Sequence, residues 1–309
     1  MIIDCHTFIW QSPEQLGPNG TSLLQQPVIL GDRRVRLLPK ADIATHFAAS
    51  EPVDYCFVLG FTSRQLNADI PNRFLAEYCR EHPNQMIGFA GVDPTEPGAA
   101  RQIKALRSES WVGGITLSPA AQDFHPSDTR AFEVYESACK LKLPVVLTNG
   151  PVLTPQTRLE YARPILLDEV ARTFPDLRLV IAHCGYPWVD ETLTLLAKHQ
   201  HVYANVAGLL HRPWLGYDAI VRAYQMGVLD KLLFGSDFPF ATAAECIEAV
   251  YAINQTARGT PLPLVPRSDL RRMVERDALS LLGISSPSSR VIAALPKARR
   301  VPKTDGRFS

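Results

Sequence analysis

Long apolar runs, paired cysteine motifs and an excess of either charge are all missing from this sequence. No apolar stretch approaches the ~20 residues of a membrane-spanning helix, and the net charge of +1 gives no reason to expect a nucleic-acid or membrane partner. The first residues lack the basic and long apolar segments of a secretory signal. The six cysteines form no C-x-x-C pair, so we expect reduced thiols in a cytoplasmic protein.

The sequence does contain a regular series of short apolar runs separated by helix-length segments. A chain of 309 residues, 46% of them hydrophobic, can bury a sizeable core. The runs are nearly continuous in Val, Ile, Leu and Phe, which is typical of parallel strands covered on both faces. The eight predicted strands lie at 1–6, 53–60, 85–92, 111–118, 143–149, 177–184, 201–206 and 231–237.

Helical patterns occupy the segments between these runs, at 74–82, 96–109, 129–142, 163–174, 188–199, 217–227 and 241–257. Strict alternation of strand and helix predicts parallel βαβ units. Eight such units in a chain of this length predict an α/β fold, the closed (β/α)8 or TIM barrel. A doubly wound open sheet is the alternative, but no G-x-G-x-x-G motif follows the first strand.

Two segments fall outside the repeat. Residues 11–39 form a long insertion after the first strand, in which PVILGDRRVRLLP predicts a hairpin around Gly31 and Asp32. Because lids and substrate loops lie at this mouth of a barrel, we expect the insertion to be lid-like. Residues 285–309 carry six basic residues and one acid, and we interpret them as a solvated tail rather than a partner-binding arm. The remainder, 1–284, is predicted to be a single barrel domain.

Titratable side chains occur where several of the predicted strands end, which is where barrel enzymes carry their reacting groups. The first strand presents Asp4, His6 and Phe8 on one face by its two-residue alternation. His183 lies at the end of the sixth run and Asp237 at the end of the eighth. A single histidine at a strand end is more often structural than catalytic. The first and eighth strands are neighbours in a closed barrel, however, so we expect His6, His183 and Asp237 to converge as the catalytic set.

The sequence resembles the amidohydrolase superfamily, in the branch that includes aminocarboxymuconate semialdehyde decarboxylase. The resemblance covers residues 1–283 and rests on IIDCHTF, GITLSP, LPVVLTNG, VIAHCG and LLFGSDFPF. It implies a TIM barrel whose divalent metal is held by two histidines of the first strand, a histidine of the fifth and an aspartate of the eighth. His6 and Asp237 match this ligand pattern. His183 matches the sixth-strand histidine that handles protons or polarises the substrate.

Two residues depart from the ligand pattern that the resemblance implies. Phe8 stands in place of the second histidine of the first strand, and Thr148 stands where the fifth strand would place its histidine. Neither a phenyl ring nor a neutral hydroxyl replaces an imidazole ligand. We therefore expect no tightly bound metal. His6 and Asp237, with His183 as an optional third ligand, would hold a divalent ion such as zinc weakly.

These residues predict an amidohydrolase-like hydrolase that acts on an ester, lactone or amide carbonyl of a small molecule. Asp237 would activate water as the general base, while His183 and His6 would polarise the substrate. Apolar rings would wall the pocket, and a guanidinium would bind a substrate carboxylate. The expected substrate-binding residues are Phe8, Trp10, Arg64, Thr148, Asn149 and Phe240; an arginine of the 31–36 hairpin could take the place of Arg64.

Two alternative functions stay open at this point. The first is metal-dependent hydrolysis or non-oxidative decarboxylation with a weakly held zinc ion. The second is a non-catalytic barrel that binds a small molecule or a partner, since the joint loss of two ligands is what relaxed selection on the chemistry would produce. The expected partner is a small-molecule substrate, without nucleic acid or membrane, and self-association into a homo-oligomer is left open.

Overall fold

The structure is a computed structural model that describes residues 1–24, 27–30, 33–36, 39–106 and 108–285. Its strands are β1 Ile3–Phe8, β2 Pro27–Leu30, β3 Arg33–Arg36, β4 Tyr55–Leu59, β5 Phe61–Ser63, β6 Ala68–Ile70, β7 Met86–Gly91, β8 Val112–Leu117, β9 Val145–Leu147, β10 Leu179–Ile181, β11 Val202–Asn205 and β12 Leu232–Leu233. Its α-helices are α1 Pro18–Leu24, α2 Ile43–Ala49, α3 Asn72–Glu81, α4 Ala99–Leu106, α5 Pro119–Gln122, α6 Thr129–Leu141, α7 Leu167–Thr173, α8 Val189–Lys198, α9 Pro213–Gln225, α10 Ala243–Ala252, α11 Arg267–Val274 and α12 Ala278–Leu282.

Eight of the strands form one parallel sheet in the order β1-β4-β7-β8-β9-β10-β11-β12. The sheet closes on itself through backbone hydrogen bonds between β1 and the segment that follows β12. Cys5 N–H donates to Phe234 O at 3.0 Å, and Asp237 N–H donates to His6 O at 3.1 Å. The predicted (β/α)8 barrel is therefore confirmed, with all eight predicted strands in the sheet and a helix at each of the seven predicted positions.

The barrel strands are almost entirely buried because both of their faces are covered. Every residue of β1, β7 and β8 is buried. Inside the barrel, the rings of Phe57 and Phe89 pack with their centroids 4.7 Å apart. Gly114 makes room for them, since a Cβ at this position would lie 2.4 Å from the ring of Phe89. Large and small residues thus alternate across neighbouring strands to fill the barrel at close packing.

Helix boundaries follow from local capping residues. Asp128 caps α6 by accepting a hydrogen bond from Arg130 N–H at 2.8 Å, and Lys142 ends that helix in the left-handed conformation. Thr242 and Glu245 form a reciprocal capping box at the start of α10. These caps satisfy backbone groups that a helix end leaves unpaired. Sequence patterns missed the short helices α1, α2, α5, α11 and α12 and the β5–β6 hairpin.

The insertion after β1 contains the two strands of the predicted hairpin. β2 and β3 pair antiparallel, with Pro27 opposite Arg36 and Leu30 opposite Arg33. The turn residues 31 and 32 and the tail from residue 286 lie outside the described residues, so the lid and tail assignments stay predictions. None of the six cysteines, all of them among the described residues, is paired in a disulfide. Among the described residues no helix is long and apolar enough to cross a membrane.

Candidate active site

The structure brings His6, His183 and Asp237 together at the C-terminal mouth of the barrel. One ligand atom from each residue lies within 4.8 Å of the other two. His6 Nε2 is 3.6 Å from Asp237 Oδ1, and the rings of His6 and His183 meet edge to face with centroids 4.7 Å apart. Residues that are far apart in the sequence thus form one compact cluster of titratable groups.

The backbone turns sharply at two members of this cluster. His183 has φ 54° and Asp237 has φ 70°, in the left-handed region that non-glycine residues adopt at a cost. The loop after β11 approaches both side chains through Gly208, which has φ +71°. A Cβ on Gly208 would lie 2.9 Å from His183 Nδ1 and 3.0 Å from Asp237 Oδ2. The glycine therefore allows this loop to pack directly against the cluster.

His183 is held by two contacts with the segment at the end of β11. Its backbone N–H donates to Asn205 Oδ1 at 3.0 Å, and its side-chain Nδ1 lies 2.9 Å from Ala207 O. A carbonyl oxygen can only accept a hydrogen bond, so Nδ1 carries the proton. In the neutral ring the Nε2 atom then keeps its lone pair and is free to accept a proton or a hydrogen bond.

His6 is fully buried, and its two ring nitrogens have different surroundings. Nδ1 lies 3.2 Å from the side-chain amide nitrogen of Asn205, while Nε2 has no hydrogen-bond partner. Burial, with a smaller contribution from the charge of His183, lowers the pKa of His6 well below its usual value. The ring is therefore neutral at physiological pH.

The carboxylate of Asp237 is nearly buried but keeps some contact with solvent, since 14% of its side chain is exposed. Burial raises the pKa of Asp237 to about 6, against the opposing effects of His183 and Arg212. Arg212 immediately precedes α9 and is exposed. Reasoning from strand ends missed this cation because it belongs to a loop rather than to a strand end.

Asp4, a carboxylate of β1 close to the cluster, has a positioning role. Its Oδ1 accepts hydrogen bonds from Ser236 N–H at 2.9 Å and from His6 N–H at 3.2 Å. Burial raises the pKa of Asp4 to about 6. The carboxylate thus joins the strand that carries His6 to the segment that carries Asp237.

Two of the residues expected to bind substrate are fully or almost fully buried at the inner face. Phe8 is wholly buried, with its ring edge-to-face against His6 at a centroid distance of 5.3 Å. Thr148 is 3% exposed, and its hydroxyl has no hydrogen-bond partner. These are the two positions where the resemblance implies histidine ligands. Both side chains are enclosed by the barrel, and neither offers an imidazole to a metal.

The other expected substrate residues, Trp10, Phe240 and Asn149, are buried to different extents. Trp10 is buried, and its backbone N–H donates to Ala41 O at 3.0 Å. Phe240 is half-buried, and its N–H donates to Asp237 O at 2.9 Å. Asn149 is half-buried directly after Thr148. Their contacts with substrate stay a prediction.

Arg64 is placed differently from the other expected residues. It is exposed, and it lines a cleft with Thr95, Gln122 and Arg130 rather than the histidine–aspartate cluster. Its backbone N–H donates to Asp93 Oδ2 at 2.9 Å. Binding of a substrate carboxylate by Arg64 stays a prediction, and it would require a substrate that reaches this cleft.

The fit of the cluster to a divalent metal ion can be tested on these contacts. Two imidazoles and one carboxylate are chemically sufficient for a catalytic zinc ion, and His6, His183 and Asp237 are close enough to share one. A metal-bound imidazole, however, ordinarily donates its second N–H to a carboxylate or carbonyl acceptor. In His6 that second nitrogen instead faces an amide nitrogen of Asn205. Together with Phe8 and Thr148, this contact shows that the residues present do not fit a tightly held metal.

The family model of the amidohydrolases matches residues 3–284. The chain therefore belongs to the amidohydrolase family. No curated protein matches the chain.

Several solved structures share the fold. The "uncharacterized TIM-barrel protein Bb4693" of Bordetella bronchiseptica is 20% identical, with TM-score 0.67 over 91% of this chain and 98% of that one. The 5-carboxyvanillate decarboxylase of Novosphingobium aromaticivorans, complexed with manganese and a nitrobenzoic acid, is 14% identical, with TM-score 0.65 over 92% and 96%. A "probable 2-pyrone-4,6-dicarboxylic acid hydrolase" of Acinetobacter baumannii is 16% identical, with TM-score 0.62 over 92% and 99%. At these identities the likeness establishes the fold.

Proposed function

We propose that the protein is a hydrolase that cleaves an ester, lactone or amide of a small molecule without a tightly bound metal. The observation that carries the proposal is the gap between His6 and Asp237. The Nε2 atom of His6 has no hydrogen-bond partner and lies 3.6 Å from Asp237 Oδ1. The carboxylate and the imidazole therefore face the same mouth of the barrel without a hydrogen bond between them. The family and the hydrolase among the solved structures support the same class of chemistry.

The proposed reaction uses one water molecule and the three cluster residues. Asp237 removes a proton from water, and the water oxygen attacks the carbonyl carbon. His6 stabilises the negative charge that develops on the carbonyl oxygen. The carbon–oxygen or carbon–nitrogen bond then breaks, and the leaving group takes up a proton from Asp237 directly or through His183. The products are a carboxylic acid and an alcohol or amine.

The surroundings of the cluster favour an anionic substrate. Arg212 is close enough to Asp237 for its charge to lower the pKa of that carboxyl, and an exposed guanidinium suits a carboxylate through paired hydrogen bonds. The buried ring of Phe8 adds an apolar wall next to His6. We therefore expect a small carboxylate-bearing ester, lactone or amide to be hydrolysed faster than its neutral analogue.

Non-oxidative decarboxylation with a weakly held metal is the second candidate. It is favoured by the possible ligand set of His6, His183 and Asp237 and by the decarboxylase neighbour that is complexed with manganese. The two candidates differ in products, because decarboxylation releases carbon dioxide whereas hydrolysis consumes water.

Metal analysis combined with a substrate panel tests the proposal. Protein purified without added metal should contain less than about half an equivalent of zinc, manganese or iron per chain, since tight sites retain their ion through purification. Carboxylate-bearing esters, lactones and amides should be hydrolysed at the same rate before and after treatment with a chelator. A stoichiometric, chelator-resistant metal would overturn the metal-free mechanism, and carbon dioxide release from benzoate-type acids without any hydrolysis would favour decarboxylation.

A further inference from the structure

The side-chain amide of Asn205 has one orientation that its surroundings allow. This fully buried residue ends β11. Its Oδ1 accepts hydrogen bonds from the backbone N–H groups of His183 at 3.0 Å and Ala207 at 3.3 Å. Backbone N–H groups can only donate, so the oxygen of the amide must face them. The amide nitrogen is therefore the atom that faces His6 Nδ1 at 3.2 Å.

This orientation decides where the proton of His6 resides. An amide nitrogen donates hydrogen bonds and cannot accept them, so the Nδ1 atom opposite it must present a lone pair. A neutral imidazole has one protonated nitrogen. We infer that Asn205 holds His6 in the tautomer protonated on Nε2, which makes His6 a hydrogen-bond donor at the barrel mouth and not a metal ligand.

The same amide gives the two imidazoles of the cluster opposite roles. His183 donates from Nδ1 to Ala207 O and keeps a lone pair on Nε2, whereas His6 accepts at Nδ1 and donates from Nε2. One ring can thus stabilise a developing oxyanion while the other receives or returns a proton. Asn205 is a positioning residue, because it acts on the reaction through His6. The catalytic part of this statement rests on the proposed function; the tautomer itself does not.

Coordination of a metal by His6 would conflict with these contacts. A metal needs the lone pair of Nε2, so the proton would have to move to Nδ1. Two N–H donors, those of His6 and Asn205, would then face each other across 3.2 Å. Rotation of the amide by half a turn would relieve the clash, but it would place its NH2 group against two backbone N–H donors. Both arrangements leave buried donors unpaired, which is unfavourable in a protein interior.

Nitrogen NMR on the full-length parent protein tests the tautomer without any substrate. Histidine labelled with ¹⁵N shows different shifts for a protonated and an unprotonated ring nitrogen, and the His6 signals are those that disappear in His6→Gln. We expect a proton on Nε2 and none on Nδ1 of His6. A proton on Nδ1 would overturn the inference, whatever the folding of any variant.

Asn205→Asp should reverse the tautomer with almost no change of shape. One carboxylate oxygen can keep the two backbone donors, while the other replaces the amide nitrogen with an acceptor for His6 Nδ1–H. Nε2 then becomes available, in the carboxylate–histidine–metal arrangement of known metal sites. We expect zinc affinity, measured by titration with zinc alone, to rise about 10- to 100-fold over the parent, together with loss of hydrolysis.

Asn254→Asp is the matched control. Asn254 likewise uses both ends of its amide: its Oδ1 accepts from Val265 N–H at 3.0 Å, and its amide nitrogen donates to Val265 O at 2.8 Å. This variant should show the parent's His6 tautomer and zinc affinity. A folded Asn205→Asp protein that keeps the parent's tautomer or zinc affinity would overturn the inference. An Nε2-protonated His6 in a protein that hydrolyses no carbonyl substrate would overturn the proposed function and leave the tautomer inference standing.

Discussion

Nε2 of His6 lies 3.6 Å from Oδ1 of Asp237, slightly farther than a hydrogen bond allows. The imidazole is buried and the carboxylate nearly so, yet neither satisfies the other. The fold fixes this spacing, because Asp4 accepts hydrogen bonds from the backbone of His6 and from that of Ser236, which precedes Asp237. The gap leaves a hydrogen-bond donor and a base available to a substrate.

Asp237→Asn should lower kcat by a factor of roughly 10² to 10⁴, as expected for loss of a general base. The amide is almost isosteric with the carboxylate, so the melting temperature should change little. Steady-state kinetics and thermal unfolding measure the two effects. Asp42→Asn is a suitable control, since Asp42 caps α2 and asparagine caps helices equally well. Full activity in Asp237→Asn would show that Asp237 is structural.

Gly208→Ala should damage the site as well as the backbone. Its Cβ would be placed 2.9 Å from His183 Nδ1 and 3.0 Å from Asp237 Oδ2, so both groups must shift. Displacements of this kind cost up to about 10²-fold in rate, and the left-handed backbone costs about 1–2 kcal/mol of stability with any side chain.

Gly227→Ala separates these two effects. Gly227 has φ +70°, and an added Cβ would meet no atom within 4 Å. This variant should lose similar stability in denaturant unfolding but keep its kcat. Equal loss of activity in both variants would show that the loop after β11 acts on the site only through stability.

Phe8→His with Thr148→His should create a zinc-dependent rise in melting temperature that the parent lacks. Together with His6 and Asp237 the new histidines complete the ligand set that the family resemblance implies. Zinc at a hundredfold excess over Kd would stabilise the folded state by about 2.7 kcal/mol, which a thermal shift assay detects. Each single variant should respond less. If the folded double variant shows no zinc response even after Asn205→Asp is added, Phe8 and Thr148 do not occupy former ligand positions.

The same double variant should bind zinc more tightly after Asn205→Asp is added. The carboxylate removes the amide donor that opposes coordination by His6, and second-sphere partners of this kind change metal affinity by about 10- to 100-fold. Zinc titration of the double and triple variants gives the comparison. Equal affinity in the two would contradict the role assigned to Asn205.

Stability should fall in acid because of His46, a buried histidine outside the active site. Its Nδ1 lies 2.7 Å from Tyr78 OH and its Nε2 2.9 Å from Thr7 Oγ1. Burial lowers the pKa of His46 to about 3, whereas an unfolded histidine titrates near ~6.5. Between these values the unfolded chain binds more protons, so the free energy of unfolding decreases as the pH falls, by up to about 1.4 kcal/mol per pH unit.

His46→Gln should remove this component. Urea unfolding at several pH values between 4 and 7 should show a shallower pH dependence in the variant than in the parent, together with lower stability at pH 7 from the altered hydrogen bonds. Parallel pH dependences in the two proteins would mean that His46 contributes nothing to acid sensitivity.

The sequence by itself determined the barrel and the three residues at its mouth. Eight continuous apolar runs that alternate with helical patterns predict a parallel (β/α)8 barrel. The end of each run then identifies the side chain that lies at the mouth of the barrel. His6 and Asp237 could be paired in advance because the first and last strands of a closed barrel are neighbours. The short helices α1, α2, α5, α11 and α12 were not predicted because a few residues carry too little periodicity to be recognised.

Only the tertiary structure decided what these residues can do. His6 and Asn205 are 199 positions apart in the chain, and no local pattern indicates that an amide nitrogen, rather than an oxygen, meets the imidazole. That outcome depends on two backbone N–H groups beyond β10 and β11 that orient the amide. Gly208, which packs against His183 and Asp237, and Arg212, whose charge acts on Asp237, likewise belong to a segment after β11 whose course depends on packing. Strand register and residue type are local properties, whereas protonation and hydrogen-bond polarity are set by neighbours that the fold assembles.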